Sequence, residues 1–363
     1  MGNSQYSQLQ TADPSDALTP SSRLLKSTSV FNCRDPKKRP SPHIENVGAL
    51  APVRPGMLIS GGKDSIISLN NLDVGDSLMT WRGHTKEVLK VVYRNTGGKH
   101  LVLSASRDET IRLWQFNAAS PQKVYTGHRL PISGLVLFDD GKFVSGGRDT
   151  TLRLWDVEKG NVICENQINR NLVTHIAYNA QKNWLAQSSE DKHLRLWDPR
   201  SMEVIACYPR QLHIQTFCEF TPDANMVMTT SAGWNGDGCT ITLWDTRTRK
   251  IYKELSGHDA TVTGVANLHQ NVSQRKLIAS VSLDRTVKVW SLEDGVCLWT
   301  ETAPAGGGLL ACASFSDSSL AVSGCDGLIA HLRLLGRGGR PLLHCVSYQT
   351  RRYDPQTSHT TDS

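Results

Sequence analysis

The sequence predicts an all-β chain built as a propeller array, and three observations carry the prediction. An Asp is followed six or seven residues later by the end of a short apolar strand, seven times over. The closing positions are 70, 114, 155, 197, 244, 290 and 332, at steps of 44, 41, 42, 47, 46 and 42 residues. Each interval holds four short strand patterns, and a period in the low forties with four strands per unit is the mark of a propeller.

The units can be justified in order. The first opens at His43 with Pro42 before it, continues into "VGAL", and runs from Asp64 to Asn70 in "GKDSIISLN". Gly83-His84 and Gly127-His128 open the second and third, ahead of "VLKVVY" from Val88 and "ISGLVL" from Ile132. Their closing segments run from Asp108 to Trp114 and from Asp149 to Trp155. In the fourth, "VTHIAY" from Val173 precedes Asp191 and Trp197. The fifth has "IQTFCEF" from Ile214, and its Asp237 stands seven residues before Trp244. Gly257-His258 opens the sixth, with "VTGVAN" from Val262 and the pair Asp284 and Trp290. The seventh has "LACASF" from Leu310, then Asp326 and Leu332. Turn residues such as "DDGK" at 139–142 and "TPDAN" at 221–225 separate strands where a hairpin needs them.

A last strand is expected at 341–348, after the Gly-rich "GRGGR" at 336–340. It would complete the seventh unit and cover an exposed sheet edge. The competing closure uses "STSVFN" at 27–32; the C-terminal strand is favoured because it is local in sequence.

Trp155-Asp156, Trp197-Asp198 and Trp244-Asp245 complete the picture, and over residues 43–348 the chain resembles the WD40-repeat family. The resemblance implies a seven-bladed β-propeller whose blades are four-stranded antiparallel sheets. It also implies a buried hydrogen-bonded tetrad of His, Ser, Asp and Trp. The sets here are His84, Ser104, Asp108 and Trp114; His128, Ser145, Asp149 and Trp155; and His258, Ser280, Asp284 and Trp290. Ser, His and Asp together also describe a hydrolytic triad. An enzyme needs one active site, whereas this trio recurs in three blades, so repetition argues for a frame and a non-catalytic chain.

Composition agrees. The 363 residues are 39% hydrophobic and 20% charged, with a formal net charge of +6, which suits a globular protein and does not demand nucleic acid. Nine scattered cysteines form no C-x-x-C pair, so no metal site is expected; reduced thiols in a cytoplasmic or nuclear setting are. Walker, zincin and nucleophile-elbow motifs are absent. No cofactor and no small-molecule substrate are expected, and the expected partners are other proteins.

Three surface features are candidates for binding them. Lys63, Arg107 and Arg148 each precede a turn Asp, which predicts a basic arc over three adjacent blades. Trp234 lies on the enlarged Gly-rich turn "SAGWNGDGCT", either as an exposed anchor or folded back over the blade. Arg200 and Arg247 lie in consecutive WDxR motifs. In the family's cullin–RING ligase receptors such arginines contact the adaptor.

The first 42 residues, rich in Ser, Thr, Pro and Gln, predict a disordered tether, and residues 349–363 a disordered C-terminal tail. Gly2 in "MGNSQYS" is a candidate myristoylation site, with Tyr6 where the pattern has Ser or Thr. Cys33 is a candidate palmitoylation site beside the basic cluster Arg34, Lys37, Lys38 and Arg39. The combined reading is a scaffold tethered to a membrane surface, cytoplasmic, in vesicle or ciliary trafficking. The rivals are a ligase substrate receptor and a nucleic-acid or chromatin reader using the basic arc.

Overall fold

The computed structural model describes residues 36–139, 141–269, 275–304, 307–337 and 340–351. Every regular element is a β-strand, and they form seven sheets. Blades one to six span 47–81, 88–125, 132–167, 173–207, 215–256 and 262–302, and the four strands of each, a to d, pair antiparallel in chain order. Each strand a packs against strand a of the next blade, and that of blade seven (Leu309–Ser314) packs against that of blade one (Val47–Arg54), so the ring closes.

The burial pattern follows this arrangement. Strand b of blade six (Leu277–Ser282) is buried at all six positions, because blades cover both of its faces. Outer strand d of blade three (Val162–Gln167) alternates half-buried and exposed residues, as a strand with one solvated face must. Between blades the core is apolar: Leu103 and Ile111 of blade two meet Phe143 and Trp155 of blade three. The two rings of Phe143 and Trp155 stack with centroids 5.8 Å apart.

Ring closure uses the C-terminal strand. Arg340–Thr350 pairs antiparallel with strand c of blade seven (Ile329–Arg337), longer at both ends than the expected 341–348. Residues 27–32, the competing strand, lie outside the described residues.

The 1–42 tether needs correcting at its end. Lys37–Pro40 forms a fifth strand of blade seven, parallel to Arg340–Thr350, with Lys37 opposite Ser347 and Arg39 opposite Gln349. The C-terminal boundary likewise moves, since Gln349 and Thr350 belong to the strand. The basic residues Lys37, Lys38 and Arg39 are exposed on an edge strand, where lysine and proline suit the unpaired side. Arg39 also reaches blade one: its side chain lies against Gly75, whose positive φ of 86° and missing Cβ make room for it.

The seam between blades seven and one joins an apolar cluster, in which Val47 and Leu58 meet Phe315 and Ile329, with buried polar contacts. Ser323 Oγ donates to Val47 O at 2.9 Å and Ser347 Oγ to Leu72 O at 2.8 Å. His331 is buried there, 3.8 Å from Asp73, and neither ring nitrogen has a hydrogen-bond partner among the described residues. Burial lowers its pKa below the ordinary histidine value, with Asp73 pulling the other way.

Candidate functional site

The three expected tetrads are assembled. His84 Nε2 meets Ser104 Oγ at 2.7 Å, His84 Nδ1 meets Asp108 at 2.8 Å, and Trp114 Nε1 donates to Ser104 Oγ at 2.8 Å. His128 contacts Asp149 at 2.8 Å and Ser145 at 2.7 Å, with Trp155 donating to Ser145 at 2.8 Å. His258 contacts Asp284 at 2.7 Å and Ser280 at 2.8 Å, with Trp290 donating to Ser280 at 2.8 Å. Each Asp also accepts from the hydroxyl of a Thr two residues on and from the amide following the His, as Asp149 does from Thr151 and Arg129. Strand b supplies the Ser, the b–c turn the Asp, strand c the Trp and the loop before strand a the His.

These contacts have the connectivity of a Ser-His-Asp triad, yet the surroundings oppose that chemistry. Ser104, Ser145 and Ser280 are fully buried, so no substrate reaches the hydroxyl. The Trp Nε1–H is directed at the same oxygen and occupies a lone pair that a nucleophile would need. The Asp carboxylates are fixed as anions. Burial alone would raise Asp108, Asp149 and Asp284, but hydrogen bonds from His and Thr and the attraction of His outweigh it, and all three lie well below the ordinary carboxylate range.

Sequence reasoning missed a fourth set. In blade one His43 contacts Ser60 at 2.8 Å and Asp64 at 3.1 Å, and Asn70 Nδ2 donates to Ser60 at 2.8 Å in place of Trp. Blade four solves the same problem differently. Arg195 donates to Asp191 at 2.6 Å and to Asn171 at 3.0 Å, while Gln187 accepts from Trp197 Nε1 at 3.2 Å.

The basic arc is placed on one face but is not bare. Lys63 is 3.4 Å from Glu45, Arg107 is 3.4 Å from Glu87, and Arg148 is 2.9 Å from Glu190 of the next blade. The three cations are half exposed and individually neutralised, so the field the sequence suggested is weaker than the count of arginines. Such surface pairs contribute only about 0–1 kcal/mol and exchange readily.

Trp234 is 72% exposed and is not folded back over its blade. Its turn is nevertheless built. The amide of Trp234 donates to Asp237 O at 3.0 Å, and Gly236 N donates to Asp259 O at 3.2 Å. Thr261 Oγ1, on the loop entering blade six, accepts from Gly233 N at 3.2 Å and donates to Gly233 O at 3.0 Å. Gly238 has φ of +69°, and a Cβ there would strike the His213 ring. The same loops bring Leu212, 83% exposed, and Leu283, 41% exposed, beside this turn. Leu283 N donates to Thr261 O, and Ile214 O accepts from Ala232 N. Exposed Trp234, Leu212 and Leu283 thus share the loops of blades five and six with exposed Asp237 and Asp259, next to the ion-paired turns of blades one to four. The one sequence signal of this apolar group besides Trp234 was Leu283, where blades one to four carry a charge before the turn Asp.

Arg200 and Arg247 are exposed on the c–d turns of adjacent blades four and five, each with its amide donating to the Asp two residues before it. Gly2, Cys33 and Arg34 lie outside the described residues.

The family model described as WD domain, G-beta repeat matches residues 75–115, 119–156, 164–198 and 249–291. The chain is a WD40-repeat β-propeller. The closing segments left unmatched are those that depart from the pattern: Asn70 in place of Trp, the enlarged turn before Trp244, and Leu332. Among similar proteins, nuclear distribution protein nudF of Aspergillus niger is 26% identical over 66% of this chain and 57% of its own length. Nuclear distribution protein PAC1 of Gibberella zeae is 29% identical over 67% of this chain and 58% of its own. Pre-mRNA-processing factor 17 of Mus musculus is 25% identical over 74% of this chain and 54% of its own. The chain thus spans little more than half the length of these relatives.

Proposed function

We propose that this WD40 propeller is a non-catalytic protein-interaction scaffold whose partner docks over blades five and six. The observation that carries the reading is Trp234, a large apolar side chain held exposed on a hydrogen-bonded turn, with Leu212 and Leu283 beside it. Large apolar side chains held exposed on neighbouring loops favour a contact surface, and Trp is a residue type enriched among interface anchors. Rim cations such as Arg148 set approach and orientation more than strength. In affinity capture, Trp234→Ala is expected to reduce partner recovery at least tenfold, since a true anchor is worth about 2 kcal/mol or more. Charge reversal at Arg107 and Arg148 should have a smaller, salt-sensitive effect. Capture that survives all three changes would exclude this face.

The finer part of the reading is a membrane tether, and it rests on the sequence. One myristoyl chain gives an affinity of only about 10⁴ M⁻¹, so a second attachment is required. Lys37, Lys38 and Arg39 could supply it, and because they sit on the outer edge of blade seven, that edge would face the headgroups. Gly2→Ala should then release the protein from anionic vesicles, and neutralising the three basic residues should weaken retention in a salt-dependent way. Failure to incorporate a myristate label at Gly2 would remove the tether and leave the scaffold reading intact.

A further inference from the structure

The central channel contains a cluster that the scaffold does not use. Lys90, on strand a of blade two (Val88–Thr96), reaches past blade three to His175 on strand a of blade four (Val173–Asn179). Its Nζ hydrogen-bonds His175 Nε2. His175 Nδ1 lies 3.0 Å from Cys218 O, a carbonyl that can only accept. The tautomer is therefore fixed: Nδ1 carries the hydrogen and Nε2 presents a lone pair to Lys90. The His175 ring stacks on Phe217 with centroids 3.8 Å apart, and the Lys90 Nζ is 5.3 Å from the centre of the same ring.

This environment favours an uncharged amine. Burial lowers the Lys90 pKa, and Glu219 opposes the shift without cancelling it. Burial also pushes Glu219, whose charge acts on Lys90, up to about 7, so that charge is reduced near neutrality. The neighbouring thiols do not compete as nucleophiles: burial pushes both Cys218 and Cys312 up to about 12. Lys90 also lines an open pocket of about 390 Å³ among the inner strands of blades one to four, walled by Leu50, Val92, Val136, Leu137 and Tyr178 with Arg94 at its border. That volume suits a small organic molecule, and the walls suit an apolar one.

The geometry points to Lys90 as a covalent acceptor for a small apolar aldehyde, held as an imine in the channel. The Nζ lone pair attacks the carbonyl carbon, and one Nζ proton, relayed by His175 Nε2, passes to the carbonyl oxygen to give a neutral carbinolamine. The hydroxyl then leaves as water with the second Nζ proton, taken by the same relay, while the nitrogen lone pair forms the C=N bond. One C–N double bond replaces one C–O double bond, one water is released, and no oxidant or reductant is needed. Desolvated lysines are the usual amines for this chemistry.

The test is competitive labelling of the folded, full-length protein with salicylaldehyde at limiting concentration. Cyanoborohydride fixes the imine as a secondary amine, and peptide mass spectrometry locates it. Lys90 is expected to label faster than exposed Lys63, because burial lowers its pKa. Lys90→Arg should abolish that adduct, and His175→Asn should slow it about tenfold while leaving Lys63 unchanged. Labelling runs below the melting temperature of each variant, and the wild-type ratio alone decides if a variant fails to fold. Lys90 labelling no faster than Lys63, or at an unchanged rate in folded His175→Asn, would overturn the assignment.

Discussion

Truncation after Arg340 is expected to unfold the propeller, whereas deletion of residues 1–40 is expected to leave a cooperative transition. The truncation removes the strand that closes blade seven, paired along strand c from Ile329 to Arg337. It takes away buried Leu343 and uncovers Leu332 and Leu334, which belong to the same core. Each buried aliphatic side chain is worth about 1.5–3 kcal/mol, so the loss approaches 5 kcal/mol or more, comparable with the whole stability of a domain. The ring would also lose the Ser347 contact to blade one and the partner of Lys37–Pro40. The N-terminal deletion removes four exposed strand residues, the Arg39 contact with Gly75 and a few edge hydrogen bonds, about 1 kcal/mol. Thermal melting distinguishes the two; a folded truncation beside an unfolded N-terminal deletion would reverse the assignment of the closing strand.

Asp149→Ala is expected to cost about 3 kcal/mol, because it strips His128, Thr151 and the Arg129 amide of one shared acceptor. It also changes the pH dependence. Asp149 has a folded pKa below its unfolded value, so its stabilising contribution is present above the unfolded pKa near 4 and is lost as pH falls toward the folded value. Wild type should therefore lose stability steeply below about pH 4, and the variant less steeply. Equal melting temperatures for the two at neutral pH would show that the carboxylate does not hold the blade.

The legibility of the fold came from repetition. Asp-to-Trp spacing marks strand c, and the Gly-His pairs mark the entry to strand a, so blades with both could be aligned directly. His43 was visible, but its tetrad was not, because Asn70 replaces Trp and only the folded geometry shows the amide taking the same bond to Ser60. The Arg195–Asp191 solution of blade four gave no signal, since Arg112 and Arg153 stand at the same repeat position in blades that keep the His, so the Arg alone does not mark the substitution. Lys37–Pro40 lacks apolar alternation and carries two prolines at its margins, and its partner lies some three hundred residues away, so it reads as tail. The basic residues before the turn Asp were legible as a row, but their carboxylate partners were not, because side-chain reach is not encoded in spacing. Lys90 and His175 lie on strands that are not neighbours, and only ring closure brings them together.

Docking of a partner over blades five and six, with the His-Ser-Asp-Trp sets as frame, is tested by hydrogen–deuterium exchange of the propeller alone and with a captured partner. Protection is predicted at 211–214, 232–238, 259–261 and 283, with the amides of strands b and c unchanged. Protection confined to the opposite c–d turns, around Arg200 and Arg247, would contradict that docking and favour contact through those arginines instead.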